Sequence, residues 1–336
     1  MLTIVKTSLR SATGVGRTQF LRYCSTGPNT TSDQAAPTEK TSENEPPILV
    51  EKIDSITMIG LNKPNIRNAI NAEMGQQLTA AIDAFEKDES AAVGILHGVG
   101  GSFCSGYDLS ELANPDVKPQ SVILQRGGVM GPTRRNFKKP MVCAISGYCV
   151  GGGLELALMC DLRVMEELAL LGFYNRRFGV PLVDGGSVRL PTLIGVSRAM
   201  DLILTGRTVK AKEALEIGLV NRIVAVGTGL GQAFNLASSI AKYPQACLNH
   251  DRNSMYYAMF QAKSLEDAME QGLLDDRVDF IKKNDETINT VNAYLHLLLF
   301  KTNCLLPITS ILKNAIDCAT KSWTTSSNCT GKSSRL

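Results

Sequence analysis

The chain has 336 residues, 44% of them hydrophobic and 20% charged, with a formal net charge of +3. That composition describes a soluble globular protein of one large or two small domains, and so small a surplus of positive charge gives no reason to expect a nucleic-acid partner. Nine cysteines, an odd number with no Cys-x-x-Cys pair, read as reduced and buried thiols rather than a disulfide framework, and three scattered histidines offer no metal-ligand spacing.

Residues 1–31 carry Lys6, Arg10, Arg17 and Arg22, many Ser and Thr, and no acid before Asp33. Without an apolar h-region this is the composition of an amphipathic import presequence. Arg22-Tyr-Cys-Ser25 has the form of a processing site, so 1–24 is expected to be a mitochondrial presequence. The polar, proline-bearing stretch 25–47 is expected to be a disordered linker. Ile48–Glu51 and Ile56–Leu61 read as strands around a turn at Asp54-Ser55. Met74, Leu78, Ala81, Ile82 and Phe85 recur at helical spacing. A strand Ala92–His97, a loop and helix within Gly98–Met130, a strand Met141–Ile145, a helix Gly152–Met159 and a strand Leu162–Met165 follow. This alternation predicts a mostly parallel sheet covered by helices. Ser197–Leu204 and Ala211–Ile217 are predicted helices ended by Gly206 and Gly218. Met255–Phe280 also reads as helical. From Asn289 the chain becomes an atypical mixture whose apolar run, Tyr294–Phe300, falls far short of the ~20 residues of a membrane span.

Two glycine turns carry the chemistry. In the second, the strand ending at Ile145 runs through Gly147 into Gly151-Gly152-Gly153, and a helix begins with one carboxylate, Glu155, in its first turn. Glycine lets backbone approach a ligand, and a helix start presents unpaired N–H groups. The combination suits stabilisation of a negative substrate oxygen beside a general base. A glycine cluster alone serves tight packing equally well. The first turn, Gly101-Ser-Phe-Cys-Ser-Gly-Tyr-Asp-Leu109, read by itself is a loop anchored by Phe103.

Together, Phe103-Cys-Ser-Gly-Tyr-Asp108 and Lys139-Pro140 through Asp161 resemble the enoyl-CoA hydratase/isomerase (crotonase) superfamily. Similarity continues through Leu61-Asn-Lys-Pro, Arg67-Asn-Ala, Gly185-Gly-x-x-Arg-Leu190 and Leu204-Thr-Gly206, over roughly three-fifths of the chain. The resemblance implies an α/β fold, a ββα spiral core over 48–253 with a C-terminal helical region over 254–288, leaving 289–336 as the atypical tail. It implies an acyl-CoA thioester as substrate, CoA being part of the substrate and no separate cofactor needed, and a homotrimer or dimer of trimers. The expected location, the mitochondrial matrix, follows instead from the acid-free, arginine-bearing N-terminus and Arg22-Tyr-Cys-Ser25. The resemblance places the thioester oxygen on the backbone N–H groups of Tyr107 and Gly152, with Glu155 as acid/base and Ser105, Gly106, Asp108, Gly151 and Asn175 lining the substrate site.

One departure bears on the reaction. Hydratases of this family use two glutamates, and the second matches Asn175, which cannot accept a proton near neutral pH. No Asp or Glu occurs between Glu167 and Asp184. Asp184, ahead of two glycines, has the signature of a turn residue, with a displaced second acid as the alternative. Arg176 and Arg177 read as surface residues, with recognition of a substrate carboxylate as the alternative. Two functions remain open: an acyl-CoA lyase or isomerase working through Glu155, and a CoA-ester-binding homologue with weakened catalysis.

Overall fold

A computed structural model describes residues 45–114 and 127–274. The expected presequence, most of the linker, the segment 115–126 and everything beyond 274, including the atypical tail, lie outside the described residues. The chain divides into a unit ending at Leu273 and a second unit, Leu274–Leu336.

The first two strands, β1 (Ile48–Ile53) and β2 (Ile56–Leu61), form an antiparallel hairpin in which Ile53 faces Ile56. Asp54 turns the corner at φ 53°, a left-handed conformation that Asp tolerates better than most residues. Helix α1 (Ala72–Lys87) starts where the Asn71 side chain accepts a hydrogen bond from Met74 N at 3.0 Å. Its buried stripe of Met74, Leu78, Ile82 and Phe85 is the one the helical spacing predicts.

From here each turn of the spiral sends one strand to a large sheet and, in two turns, the next to a small one. β3 (Val93–Gly98), β4 (Met141–Ile145) and β6 (Leu162–Glu166) join the large sheet, whereas β5 (Tyr148–Val150) and β7 (Leu170–Gly172) join the small one. A short helix α2 (Leu109–Leu112) follows β3, and α3 (Gly152–Met159) follows β5. Then come α4 (Gly186–Ile194), α5 (Val196–Thr205), β8 (Val209–Lys210), α6 (Ala211–Glu216), β9 (Arg222–Val224), α7 (Gly229–Ala241), α8 (Gln245–Phe260) and α9 (Leu265–Leu274). The large sheet has the order β1-β2-β3-β4-β6-β9, parallel except at β1–β2; the small one has the order β5-β7-β8. The expected crotonase-like ββα spiral is therefore present.

Both faces of the large sheet are buried, which is why its central strands read as continuous apolar runs. Val93, Ile95, Val142, Ala144 and Val164 pack with Ala233, Leu236 and Ala237 of α7. On the other face Leu96, Met141, Cys143, Ile145 and Met165 share a core with α1, α3 and Phe103. The position expected to end the core, 253, lies inside α8, so that helix crosses the boundary. Four described cysteines (Cys104, Cys143, Cys149 and Cys160) are free and buried, and Cys247 is exposed. Burial pushes the Cys104 thiol up to about 12, which makes it an unreactive core side chain.

Candidate functional site

The two glycine turns are sewn together by backbone. Phe103, fully buried, donates its N–H to Ser146 O at 2.8 Å. Cys104 N reaches Tyr148 O at 2.9 Å, and Val150 N reaches Cys104 O at 3.0 Å. Cys104 thus pairs with Cys149 as a one-residue parallel bridge. Further on, Ile70 N donates to Gly106 O and Asp108 N to Ile70 O, both at 2.9 Å. In a parallel ladder the residue between those two contacts turns its own N–H and C=O the other way, so the Tyr107 N–H points away from Ile70.

Gly106 makes the approach to the second turn possible. Its φ is 103°, and a Cβ there would lie 3.1 Å from both Gly152 N and Val150 O. Gly151, at φ 57° and ψ −128°, is the N-cap of α3 and has no side chain with which to cap it. The Gly152 N–H, first in the helix, therefore has no intrahelical acceptor. Gly153 packs so tightly that a Cβ would stand 2.4 Å from Cys104 O.

Ser105, Gly106, Tyr107, Gly151, Gly152, Glu155 and Asn175 line one cavity, closed on its apolar side by Val129, Phe178 and Val183. Of the residues expected at the substrate site only Asp108 is not part of this lining. Its Oδ1 caps α2, accepting from Ser110 N at 3.0 Å and Ser110 Oγ at 2.6 Å. Tyr107 is part of the lining, and its hydroxyl donates to Glu111 Oε2 at 2.5 Å.

Glu155 stands three residues after Gly152, one turn along the same helix face. It is 3% exposed, and its Oε1 accepts from Asp184 N at 3.0 Å and Gly186 N at 2.8 Å. Burial, then the neighbouring charge of Asp184, pushes the Glu155 carboxyl up to about 7, against the opposite pull of the two N–H donors. Such a group gives and takes protons near neutral pH.

Asn175 belongs to the turn Tyr174–Phe178, and its Nδ2 donates to Val180 O at 2.7 Å. Its Oδ1 is buried and accepts no hydrogen bond. Arg176 and Arg177 are exposed and absent from the cavity lining, with the Arg177 guanidinium 4.4 Å from the Tyr174 ring centroid. The surface reading of this pair holds.

Asp184 is more than a turn residue. It is 2% exposed and lines the cavity with Glu155. Its Oδ1 accepts from the Thr133 hydroxyl and from Met130 N, the latter at 3.2 Å. Arg189 ties the same corner down, donating to Asp184 O at 3.0 Å and Thr133 O at 2.7 Å. These partners lie more than fifty residues away in sequence, so no local pattern around Asp184 points to them. Among the described residues no three His, Cys, Asp or Glu side chains group as metal ligands, and no helix is long and apolar enough to cross a membrane.

Comparison with known proteins agrees with this architecture. A family model described as enoyl-CoA hydratase/isomerase matches residues 51–295, and the chain belongs to that family. A protein named probable enoyl-CoA hydratase from Rhizobium meliloti is 39% identical over 196 residues, 58% of this chain and 76% of the relative. The mouse protein named enoyl-CoA hydratase domain-containing protein 2, mitochondrial, is 35% identical over 213 residues, 62% of this chain and 72% of its own. Among solved structures, an enoyl-CoA hydratase from Mycobacterium tuberculosis H37Rv superposes with a TM-score of 0.68 at 31% identity, covering 75% of this chain and 96% of that one.

Proposed function

We propose that this protein is an acyl-CoA lyase or isomerase that forms a thioester enolate. The Tyr107 and Gly152 N–H groups hold the thioester oxygen, and Glu155 moves the proton at the carbon next to the carbonyl. The observation that carries this reading is the meeting, in one cavity, of a helix-start N–H at Gly152 with a buried carboxyl poised at about 7 one turn later. Negative charge arriving on an oxygen between two fixed donors in a water-poor site is stabilised without reorganisation. CoA enters as part of the substrate, and the acid/base work asks for no metal or further cofactor.

The test is turnover of purified protein on a panel of trans-2- and trans-3-enoyl-CoA esters, alongside Glu155→Gln. Conversion by the parent that is lost in the variant is expected; equal rates in both would remove Glu155 from the chemistry. A second reading, a CoA-ester-binding homologue with weakened catalysis, draws on Asn175, whose amide closes its own turn and brings no proton-accepting group. Tight binding of an acyl-CoA with no conversion across the panel would select it.

The proposed location is the mitochondrial matrix, supported by the acid-free, arginine-bearing N-terminus and by relatives named as mitochondrial. N-terminal sequencing of the native protein should start near Ser25. A homotrimer or dimer of trimers is proposed for the assembly. Exposed Met200 and Leu204 on α5 and Met255 and Met259 on α8 support an oligomer, and light scattering measures its mass.

A further inference from the structure

We propose that Asp184 is the second proton-handling carboxylate of this site, working with Glu155 on a single water in place of the acid that Asn175 lacks. The inference rests on the enolate reading above. Three observations carry it. Asp184 and Glu155 line the same small cavity, and they are joined through the Asp184 N–H on Glu155 Oε1 at 3.0 Å. The side chain is held from one edge only: Thr133 and Met130 both donate to Oδ1, and Oδ2 receives neither. Asn175 cannot serve instead, because an amide oxygen takes no proton near neutral pH and its Nδ2 is committed to Val180 O. The effect of Asp184 on Glu155 fits an acid/base pair, since a like charge nearby keeps the other carboxyl protonated to higher pH.

In the hydration direction the water oxygen bonds to the β-carbon of the enoyl thioester as one water O–H bond breaks, and that proton passes to Asp184. The double-bond pair moves toward the thioester carbonyl, giving the enolate between the Tyr107 and Gly152 N–H groups. Protonated Glu155 then delivers its proton to the α-carbon. Water has been added across the double bond. Exchange with solvent returns a proton from Asp184 and one to Glu155, restoring the starting state.

The experiment is Asp184→Asn in the full chain. Asn keeps an Oδ1 acceptor for Thr133 and Met130 and loses the proton-accepting oxygen. Three quantities are read: hydration of trans-2-butenoyl-CoA, affinity for unreactive butyryl-CoA, and the pH profile of kcat/KM. The charged groups facing Glu155 are Asp184, from the turn before α4, and Arg189, from α4 itself. Removing the Asp184 charge should therefore move the Glu155 ionisation downward from about 7. Hydration should fall on the order of 100-fold, with butyryl-CoA affinity unchanged. Thr133→Val keeps both carboxylates and withdraws one donor from Asp184. Losing one hydrogen bond to a charged group should lower hydration by roughly tenfold, and this variant serves if Asp184→Asn does not fold. An Asp184→Asn protein within threefold of the parent and with an unmoved pH profile overturns the inference, and Glu155 then works alone. Loss of butyryl-CoA affinity together with activity also overturns it, since Asp184 would then be structural. A parent protein that neither binds butyryl-CoA nor hydrates the enoyl ester overturns the underlying reading and the inference with it.

Discussion

Two buried glutamates in this fold are held in nearly the same way. Glu155 Oε1 accepts from Asp184 N and Gly186 N at the start of α4; Glu166 Oε1 accepts from Gly227 N and Gly229 N, both at 3.0 Å, at the start of α7. Each helix opens on a glycine whose Cβ would crowd the carboxylate, at 3.0 Å from Oε1 for Gly186 and 2.9 Å for Gly229. Burial pushes both carboxyls up. The cavity beside Glu166 is the larger, about 480 Å³ against about 80 Å³. Size and burial therefore do not distinguish the two. What separates them is company: Glu155 has the charge of Asp184 and the Gly152 helix start beside it. Glu166 shares its cavity with His97, whose imidazole burial pushes down to about 4, leaving it neutral at pH 7. A carboxylate capping a helix through two amides is a structural device; around Glu155 alone of the two, an acidic neighbour and an open helix start are added to it.

The largest test of that contrast is the matched pair Glu155→Gln and Glu166→Gln. The first should cut turnover by about 10²–10⁴-fold with the fold intact; the second should leave turnover within a few-fold and lower the melting temperature. Comparable activity losses in the two would erase the distinction. Next come the adjacent glycines. At Gly152 a Cβ would meet the flexible Met130 side chain, 2.8 Å from Sδ, so Gly152→Val should fold while losing thioester binding and rate together. At Gly153 the obstacle is the Cys104 carbonyl oxygen, which cannot swing aside, so Gly153→Ala should cost stability instead, about 1–3 kcal/mol. Binding titrations and urea unfolding separate the two effects.

A smaller effect appears in stability against pH. The Glu155 carboxyl rises from 4.5 in a free chain to about 7 when folded. The folded state therefore holds this proton more tightly than the unfolded one. Its contribution is full below pH 4.5 and is lost as pH climbs through about 7, a change on the order of 3 kcal/mol. Urea midpoints measured across that window should drop for the parent and flatten in Glu155→Gln. Smallest of all, Arg176→Ala with Arg177→Ala should change turnover less than twofold, because both side chains face solvent. A tenfold loss would bring them back as substrate contacts.

Much of this arrangement is legible in the residues. The triple glycine, Glu155 and the absence of an acid at Asn175 are all local signals, and the apolar stripe of α1 and the strand Met141–Ile145 show in plain periodicity. The three-residue strands β5 and β7 are too short for any alternation to show, so the small sheet is invisible in the sequence. Asp184 fails for a different reason. An Asp before two glycines has the same local appearance whether it caps a turn or faces a cavity. Only its distant contacts with Thr133 and Met130 decide, and no sequence period encodes them.

The Cys104–Cys149 bridge also bears on how such a site can diversify. Because peptide groups rather than side chains join the two glycine turns, the spacing between Tyr107 N and Gly152 N behaves as a ruler written in main chain. Replacing Val129, Phe178 or Val183 redraws the wall of the cavity and leaves that ruler unread and unaltered. A lineage carrying this scaffold is free to drift from one cavity shape to another by ordinary point substitution, so long as Gly106 and Gly153 stay small enough for the turns to touch.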